Sequence, residues 1–255
     1  YVPFNAVHSP FQAPQSYLDR YKYIQAKNKR IYAAMVTSMD DAIGRIVSAL
    51  DKRGIRQNTL IIFCSDNGGV ASVSDNGLLR GQKAQLYEGG IRLPAVAVWP
   101  GVLKAGTVVD EPLHIVDMYP TLIKLAGGTL EQSLPLDGKD AWPTIAQGKP
   151  SPHEEILLNV TPANGAIRCG DWKLAWNGGI GANEAGVKAE QNVFELFNLA
   201  EDPYEKNDLS KENSGKLEEL KRRLEFYARQ AATPNVPPNN KPDDFKVPKV
   251  WGHPD

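Results

Sequence analysis

Thr59-Leu60-Ile61-Ile62-Phe63-Cys64 runs directly into Ser65-Asp66-Asn67-Gly68-Gly69. A β-branched and apolar run without polar alternation fits a strand buried on both faces of a parallel sheet, and the polar, glycine-rich sequel ends it abruptly. Upstream, between Asn28 and Arg53, the apolar residues Tyr32, Met35, Val36, Met39, Ile43, Ile46, Val47 and Leu50 recur at three- and four-residue steps. That spacing predicts a helix, with Gly54 as its C-terminal cap. Downstream, a second buried strand is predicted at Ala95 to Trp99, between Pro94 and Pro100-Gly101. A helix from Met118 to Ala126 follows, with Asp117 as N-cap and Gly127-Gly128 as its stop. Alternating helices and buried strands predict an α/β layer fold.

At the front, Tyr1 to Val7 reads as the tail of a strand that enters His8-Ser9-Pro10, where proline ends any ladder. With no Met and a start in mid-strand, the natural chain is expected to begin upstream. After Pro150 the texture changes. Short strand-like pieces (Glu155 to Val160, Ala166 to Cys169, Trp172 to Trp176, Val193 to Asn198) alternate with Gly, Asn and Asp turn signals, which predicts a small antiparallel sheet. Lys216 to Gln230 carries Leu217, Leu220, Leu224 and Tyr227 on one stripe, an amphipathic helix to pack on that sheet. The expected organisation is an α/β part over 1–150, a small sheet with its helix over 151–232, and an extended, Pro-rich tail over 233–255.

The 255 residues suffice to bury a core. A formal charge of −1 provides no field for nucleic acid, and no stretch is apolar for long enough to cross a bilayer, so neither is an expected partner. Two cysteines, Cys64 and Cys169, are too few and too differently placed for a disulfide framework or a zinc site; both read as reduced and structural.

Polar residues at the carboxyl end of a buried strand are where open sheets bind ligands. Asp66 and Asn67 stand there, a carboxylate beside an amide oxygen followed by two glycines: either half of a site for a hard cation or ordinary turn chemistry. His8, between stiffening prolines, is either structural or catalytic. The stretch Leu79-Arg80-Gly81-Gln82-Lys83-Ala84-Gln85-Leu86-Tyr87-Glu88-Gly89-Gly90-Ile91-Arg92 carries three cations and one carboxylate, as an anion-binding loop or a solvated surface loop would. Asp40 and Asp41 fall within the long helix and point in different directions, which favours a structural role, such as tying Asp40 to the adjacent loop.

In order and flanking residues, these pieces resemble the sulfatase family of the alkaline-phosphatase-like superfamily. The matching segments are His8-Ser9-Pro10-Phe11-Gln12-Ala13-Pro14, Tyr32 to Val36 through Met39 to Gly44, Phe63 to Gly69, and Leu79 to Lys83 through Glu88 to Arg92. Pro135-Leu136-Asp137-Gly138, Ala166-Ile167-Arg168 with Trp172-Lys173-Leu174, and Leu196 to Leu199 leading into Asp202-Pro203 also look like family landmarks. The likeness spans nearly the whole chain and is strongest to the arylsulfatase B type, the N-acetylgalactosamine-4-sulfatases.

The resemblance implies the C-terminal part of a mixed, mostly parallel sheet flanked by helices, and a sulfuric ester hydrolase acting on an aryl or carbohydrate sulfate. Asp66 and Asn67 would bind calcium, with Asp66 also catalytic, while His8 and Lys83 would be catalytic and contact the sulfate. Glu88 and Arg92 would brace the loop. Phosphodiester or phosphonate hydrolysis, and non-catalytic binding of sulfated glycans through Lys83, Arg92 and His8, remain open beside it.

The family's formylglycine, made within Cys/Ser-x-Pro-x-Arg, has no counterpart in this sequence; it is expected upstream of Tyr1. The chain alone is therefore expected to be inactive and to bind calcium weakly. It is also expected to self-associate or to pair with a companion N-terminal fragment. A periplasmic, secreted or lysosomal setting follows only from the resemblance.

Overall fold

A computed structural model describes residues 1–158, 164–179 and 192–230. The expected tail, and the last two residues of the strand predicted to end at Val160, lie outside the described residues.

Helix α1 (Gln15–Leu18) leads through a 3-10 turn (Asp19–Tyr21) into the long helix α2 (Lys27–Lys52). The cap of α2 forms as its sequence predicts. Gly54 takes φ +66°, Ile55 N–H reaches Leu50 O at 3.2 Å, and Gly54 N–H reaches Asp51 O at 3.0 Å, a Schellman closure. Helix α4 (Met118–Leu125), which the short helix α5 (Trp142–Gln147) follows, ends the same way, with Gly127 at φ +73° and Gly128 N–H on Ile123 O at 2.9 Å. On α2 the residue that pairs toward the preceding turn is Asp41, 3.7 Å from Arg20, and not Asp40.

Strands β1 (Ile61–Cys64) and β2 (Ala95–Val98) lie where the sequence predicts strands, but they pair antiparallel, Ile61 opposite Val98 and Cys64 opposite Ala95. Both faces are far from buried: Phe63, Val96 and Val98 are exposed on one, Cys64 and Ala95 on the other. A continuous apolar run reports that a strand tends to be covered; it carries no information on the direction of its partner. Tyr1 to Val7 is not a strand either, because no ladder partner pairs with it among the described residues. Instead His8 N–H closes a turn onto Asn5 O at 2.9 Å. Asp117 does not cap α4. Its buried carboxylate accepts from His114 N–H and Lys139 N–H, both at 2.8 Å, and from His153 Nε2 at 2.7 Å. The chain can pass close enough because Gly138 has no Cβ; one would stand 2.1 Å from Val116 O.

The small antiparallel sheet is formed by β3 (Glu155–Leu158), β4 (Gly165–Cys169), β5 (Trp172–Trp176) and β6 (Phe194–Asn198), in that order, followed by the amphipathic helix α6 (Ser214–Ala228). Alternation along the strands divides their side chains into two cores. Ile167, Leu174 and Leu196 pack with Leu220 and Leu224 of α6. Ala166, Ala175 and Phe197 turn to the opposite face and meet Leu86 and Tyr87 of the loop that precedes the short helix α3 (Glu88–Ile91). The sheet is thus held between a helix and the loop that carries Lys83.

On the helix side, Glu155 of β3 accepts from Tyr227 Oη and Arg223, both at 2.6 Å, closing α6 over the sheet edge. Burial beside that carboxylate pushes the Cys169 thiol up to about 11.

Leu220→Ala opens a cavity in the helix-facing core and is expected to cost about 2–5 kcal/mol, measured by urea denaturation. Cys169, held as a neutral thiol, is expected to resist iodoacetamide at neutral pH while the exposed Cys64 is alkylated, resolved by peptide mass spectrometry. Equal labelling would contradict that environment.

Candidate active site

The turn after β1 is fixed by its own polar groups. Ser65 Oγ donates to Asn67 O at 2.9 Å, and Asn67 Nδ2 donates to Asp66 Oδ2 at 2.5 Å, so the two candidate metal ligands stand side by side at the strand's carboxyl end. Gly68 and Gly69 then let a second loop approach at backbone contact. Gly68 N–H donates to Gly90 O at 2.9 Å, and Lys83 N–H donates to Gly69 O at 3.1 Å. Asn76 bridges the two loops, accepting from Gly69 N–H at 2.9 Å and donating to Gly81 O at 3.1 Å. A Cβ on Gly68 would fall 1.9 Å from Gly89 O, and one on Gly90 would fall 2.2 Å from Gln85 O, so no larger residue fits without moving a loop.

These bonds bring Lys83 to the strand end that carries Asp66 and Asn67. His8 sits on a separate turn, exposed, with Nδ1 2.9 Å from Ser9 O. Among the described residues no hydrogen bond, ion pair or ring contact joins it to the other three. The nearby Phe11 packs edge-on against Tyr32 of α2, with ring centroids 6.4 Å apart, and so ties this segment to the long helix.

The loop that carries Lys83 is anchored by charge buried beneath it. Lys173 of β5 is fully buried, its Nζ 2.9 Å from Glu88 Oε1 and 2.7 Å from Glu205 Oε1. The second contact is a charge contact off the hydrogen-bond direction. Glu205 Oε2 accepts from the Glu88 N–H at 2.6 Å, so the first peptide of α3 is held from both sides. Glu205 reaches this position from a turn wound around Asp202, whose carboxylate accepts from the N–H groups of Tyr204, Lys206 and Asn207. That turn places Glu205 at φ +55°. Burial raises the Glu205 carboxyl above its ordinary range, against the pull of Lys173.

A second brace runs through Arg80. Its guanidinium lies over the Tyr87 ring at 3.9 Å, pairs with Glu195 at 2.9 Å and donates to Glu205 O at 3.2 Å. The Tyr87 hydroxyl donates to the same Glu195, and burial and that carboxylate push its pKa well above the ordinary tyrosine range. The bracing pair is therefore Glu88 and Arg80. Arg92 is exposed, and among the described residues neither it nor Lys83 enters an ion pair.

A carboxylate and an amide oxygen are the donor types that calcium takes, but calcium needs about six to eight oxygens. Two side chains cannot fill that shell, and among the described residues no group of three or more His, Cys, Asp or Glu could hold a metal. Asp66 and Asn67 match calcium in donor chemistry and fall short of it in number.

With this geometry established, the comparisons are specific. The family model for Sulfatase matches residues 1–128. The chain belongs to the sulfatase family. Mouse (Mus musculus) arylsulfatase J is 35% identical over 291 residues, covering 99% of this chain and 49% of that protein. Rat (Rattus norvegicus) steryl-sulfatase is 29% identical over 241 residues, covering 82% and 41%. The crystal structure of Ps i-CgsB superposes with a TM-score of 0.77 at 34% identity, over 88% of this chain and 48% of that one. Ps i-CgsB has also been solved in complex with k-i-k-neocarrahexaose.

These sulfatase neighbours carry the α/β, alkaline-phosphatase-like class that the sequence implied. The chain spans about half the length of the relatives it matches.

Sequence reasoning placed Lys173 among the landmarks of the sulfatase family without giving it a role, counted Arg80 only among the cations of its loop, and passed over Glu205 and Glu195. A signal was present: Lys173 is the one charged residue of the strand Trp172–Trp176, whose other residues are all apolar, so one pleat position had to bury an ammonium and find carboxylates for it.

Because the folded protein holds the Glu205 proton more tightly than the unfolded chain does, this group favours folding most below its ordinary value of 4.5. That contribution is lost as pH rises through the raised value. Glu205→Gln removes the titration, so the stability of wild type relative to the variant is expected to fall from pH 4.5 to neutral pH in urea denaturation. A difference that does not change with pH would contradict it.

Proposed function

We propose that this chain supplies part of a sulfatase active site, in which Lys83 and His8 meet the sulfate group and Asp66 and Asn67 contribute to a calcium site. The observation that carries this reading is the bond from Lys83 N–H to Gly69 O, which stands a lysine free of ion pairs among the described residues beside a carboxylate and an amide at a strand end. Sulfuryl transfer needs fixed positive charge around three equatorial oxygens and a proton donor for the departing alcohol. Lys83 suits the first task and His8 either one. Asp66, placed near a nucleophile, would take up a proton.

Calcium, when bound, would add Lewis-acid charge at the same oxygens. The family's formylglycine would be the nucleophile. Without the Cys/Ser-x-Pro-x-Arg motif, the chain by itself has nothing to attack the sulfur.

A carbohydrate or aryl sulfate is the substrate class that fits. Ps i-CgsB, similar over 88% of this chain, was solved with an oligosaccharide, and arylsulfatase J, similar over 99%, carries the aryl class in its name. The open β1–β2 pair, with exposed Phe63, Val96 and Val98, supports association with a second copy or with a companion fragment, since unpaired edges and apolar faces promote contact. A periplasmic, secreted or lysosomal compartment accords with this reading.

The purified chain is expected to hydrolyse no aryl sulfate beyond a Lys83→Ala control. Titration with inorganic sulfate is expected to shift the amide resonances of Gly69 and Lys83 in a saturable way that Lys83→Ala abolishes. Turnover above the control would overturn the claim of inactivity, and sulfate shifts indifferent to Lys83→Ala would remove that lysine from the site.

A further inference from the structure

Among the described residues, the densest buried charge is the group Lys173, Glu88 and Glu205, and the chemistry proposed above uses none of the three. Their location is informative. Glu88 opens α3, and the two residues after it carry the contacts that lock the loops together: Gly89 N–H on Arg80 O at 2.6 Å, and Gly90 O accepting from Gly68 N–H at 2.9 Å. From Gly68 the next peptide leads to Gly69, whose carbonyl accepts from Lys83 N–H. A continuous chain of short bonds therefore runs from the Lys173 ammonium through Glu88, Gly90, Gly68 and Gly69 to the backbone of Lys83. The glycines along it leave no slack, because a Cβ on Gly89 would lie 2.5 Å from both Arg80 O and Gly81 O.

We propose that Lys173 is a positioning residue for Lys83: clamped between Glu88 and Glu205, its ammonium fixes the start of α3 on the sheet and so sets where Lys83 stands beside Asp66 and Asn67. The inference rests on the reading that Lys83 meets sulfate, and it adds the group that determines the loop's register. A buried ion cluster of this kind is weak support for stability as such, since a neutral set of similar shape often folds equally well. Its distinctive contribution is directional: an ammonium between two carboxylates holds them in one arrangement, whereas neutral side chains of the same volume leave α3 able to shift. Small displacements of a group that meets the reacting anion have large effects.

The test compares the wild-type 255-residue chain with Lys173→Met and with the neutral triple variant Glu88→Gln/Lys173→Met/Glu205→Gln, by native-state hydrogen exchange and by titration with inorganic sulfate. In either variant the amides of Gly68, Lys83, Gly89 and Gly90 are expected to exchange about tenfold faster or more, while those of Leu174 and Leu196 in the sheet stay within about twofold. The apparent Kd for sulfate is expected to rise by about tenfold. If Lys173→Met leaves two unpaired carboxylates and does not fold, the triple variant decides.

Loop amides as protected as in wild type, or loosened only in step with the sheet, would overturn the positioning role, as would failure of both variants to fold. A wild-type chain that binds no sulfate would instead sink the reading of Lys83 as a sulfate contact, and the exchange data would still judge Lys173 on their own.

Discussion

An ammonium cannot be buried without partners, and in this chain that constraint organises everything around the site. Lys173 lies in one of the two inner strands of the four-stranded sheet, opposite Arg168 on one side and Phe197 on the other, so carboxylates from elsewhere have to meet it. One comes from the start of α3 and the other from the turn wound around Asp202. Each is fixed at the backbone as well as at the side chain, because the Glu88 N–H is itself a donor to Glu205. Two segments far apart in sequence, 79–92 and 199–207, are pulled onto one face of one sheet. The apolar contacts of Leu86, Tyr87 and Phe197 then fill the space around the ions.

The close approach of the loops is the second half of the same arrangement. Charge can draw α3 to the sheet, but the Gly68 N–H reaches Gly90 O at 2.9 Å only because Gly68 has no Cβ, which would fall 1.9 Å from Gly89 O. Gly68, Gly89 and Gly90 are thus required by close approach of backbone, and Gly69 by the Ser74 side chain packed against it. An ordinary turn would need them only for freedom of conformation. In the sequence they read as a turn or half cation site and, separately, as an anion-binding or surface loop, whereas in the structure backbone hydrogen bonds join them into one seam that includes Lys83.

Local order was the most legible part of the fold. The apolar spacing of α2, the Gly54 and Gly127 caps and the four strands of the small sheet all follow from interactions within a few residues, and they appear with bounds shifted by a residue or two. What the sequence hid depends on partners distant along the chain. The run Ile61–Cys64 announced a strand but could not say that Ala95–Val98 would lie antiparallel to it. Asp117 had the right residue type and place to cap α4, yet three donors from 114, 139 and 153 bind its carboxylate more completely than a helix end could. Of the two flanking arginines, only Arg80 finds a ring and a carboxylate, a choice that rests on the sheet beneath it and not on the loop's own sequence.

The distribution of acid around the site follows from these pairings and bears on its chemistry. Glu88 and Glu205 are taken by Lys173, while Glu195 is taken by Arg80 and Tyr87. These three carboxylates are thereby occupied on the sheet side, and Lys83 enters no ion pair among the described residues. In the proposed site, a lysine that none of these three acids engages offers positive charge to a tetrahedral anion. Were either brace broken, a released glutamate would add a further acid to compete for Lys83, so on the proposed reading the buried network guards the charge of the site as well as its shape.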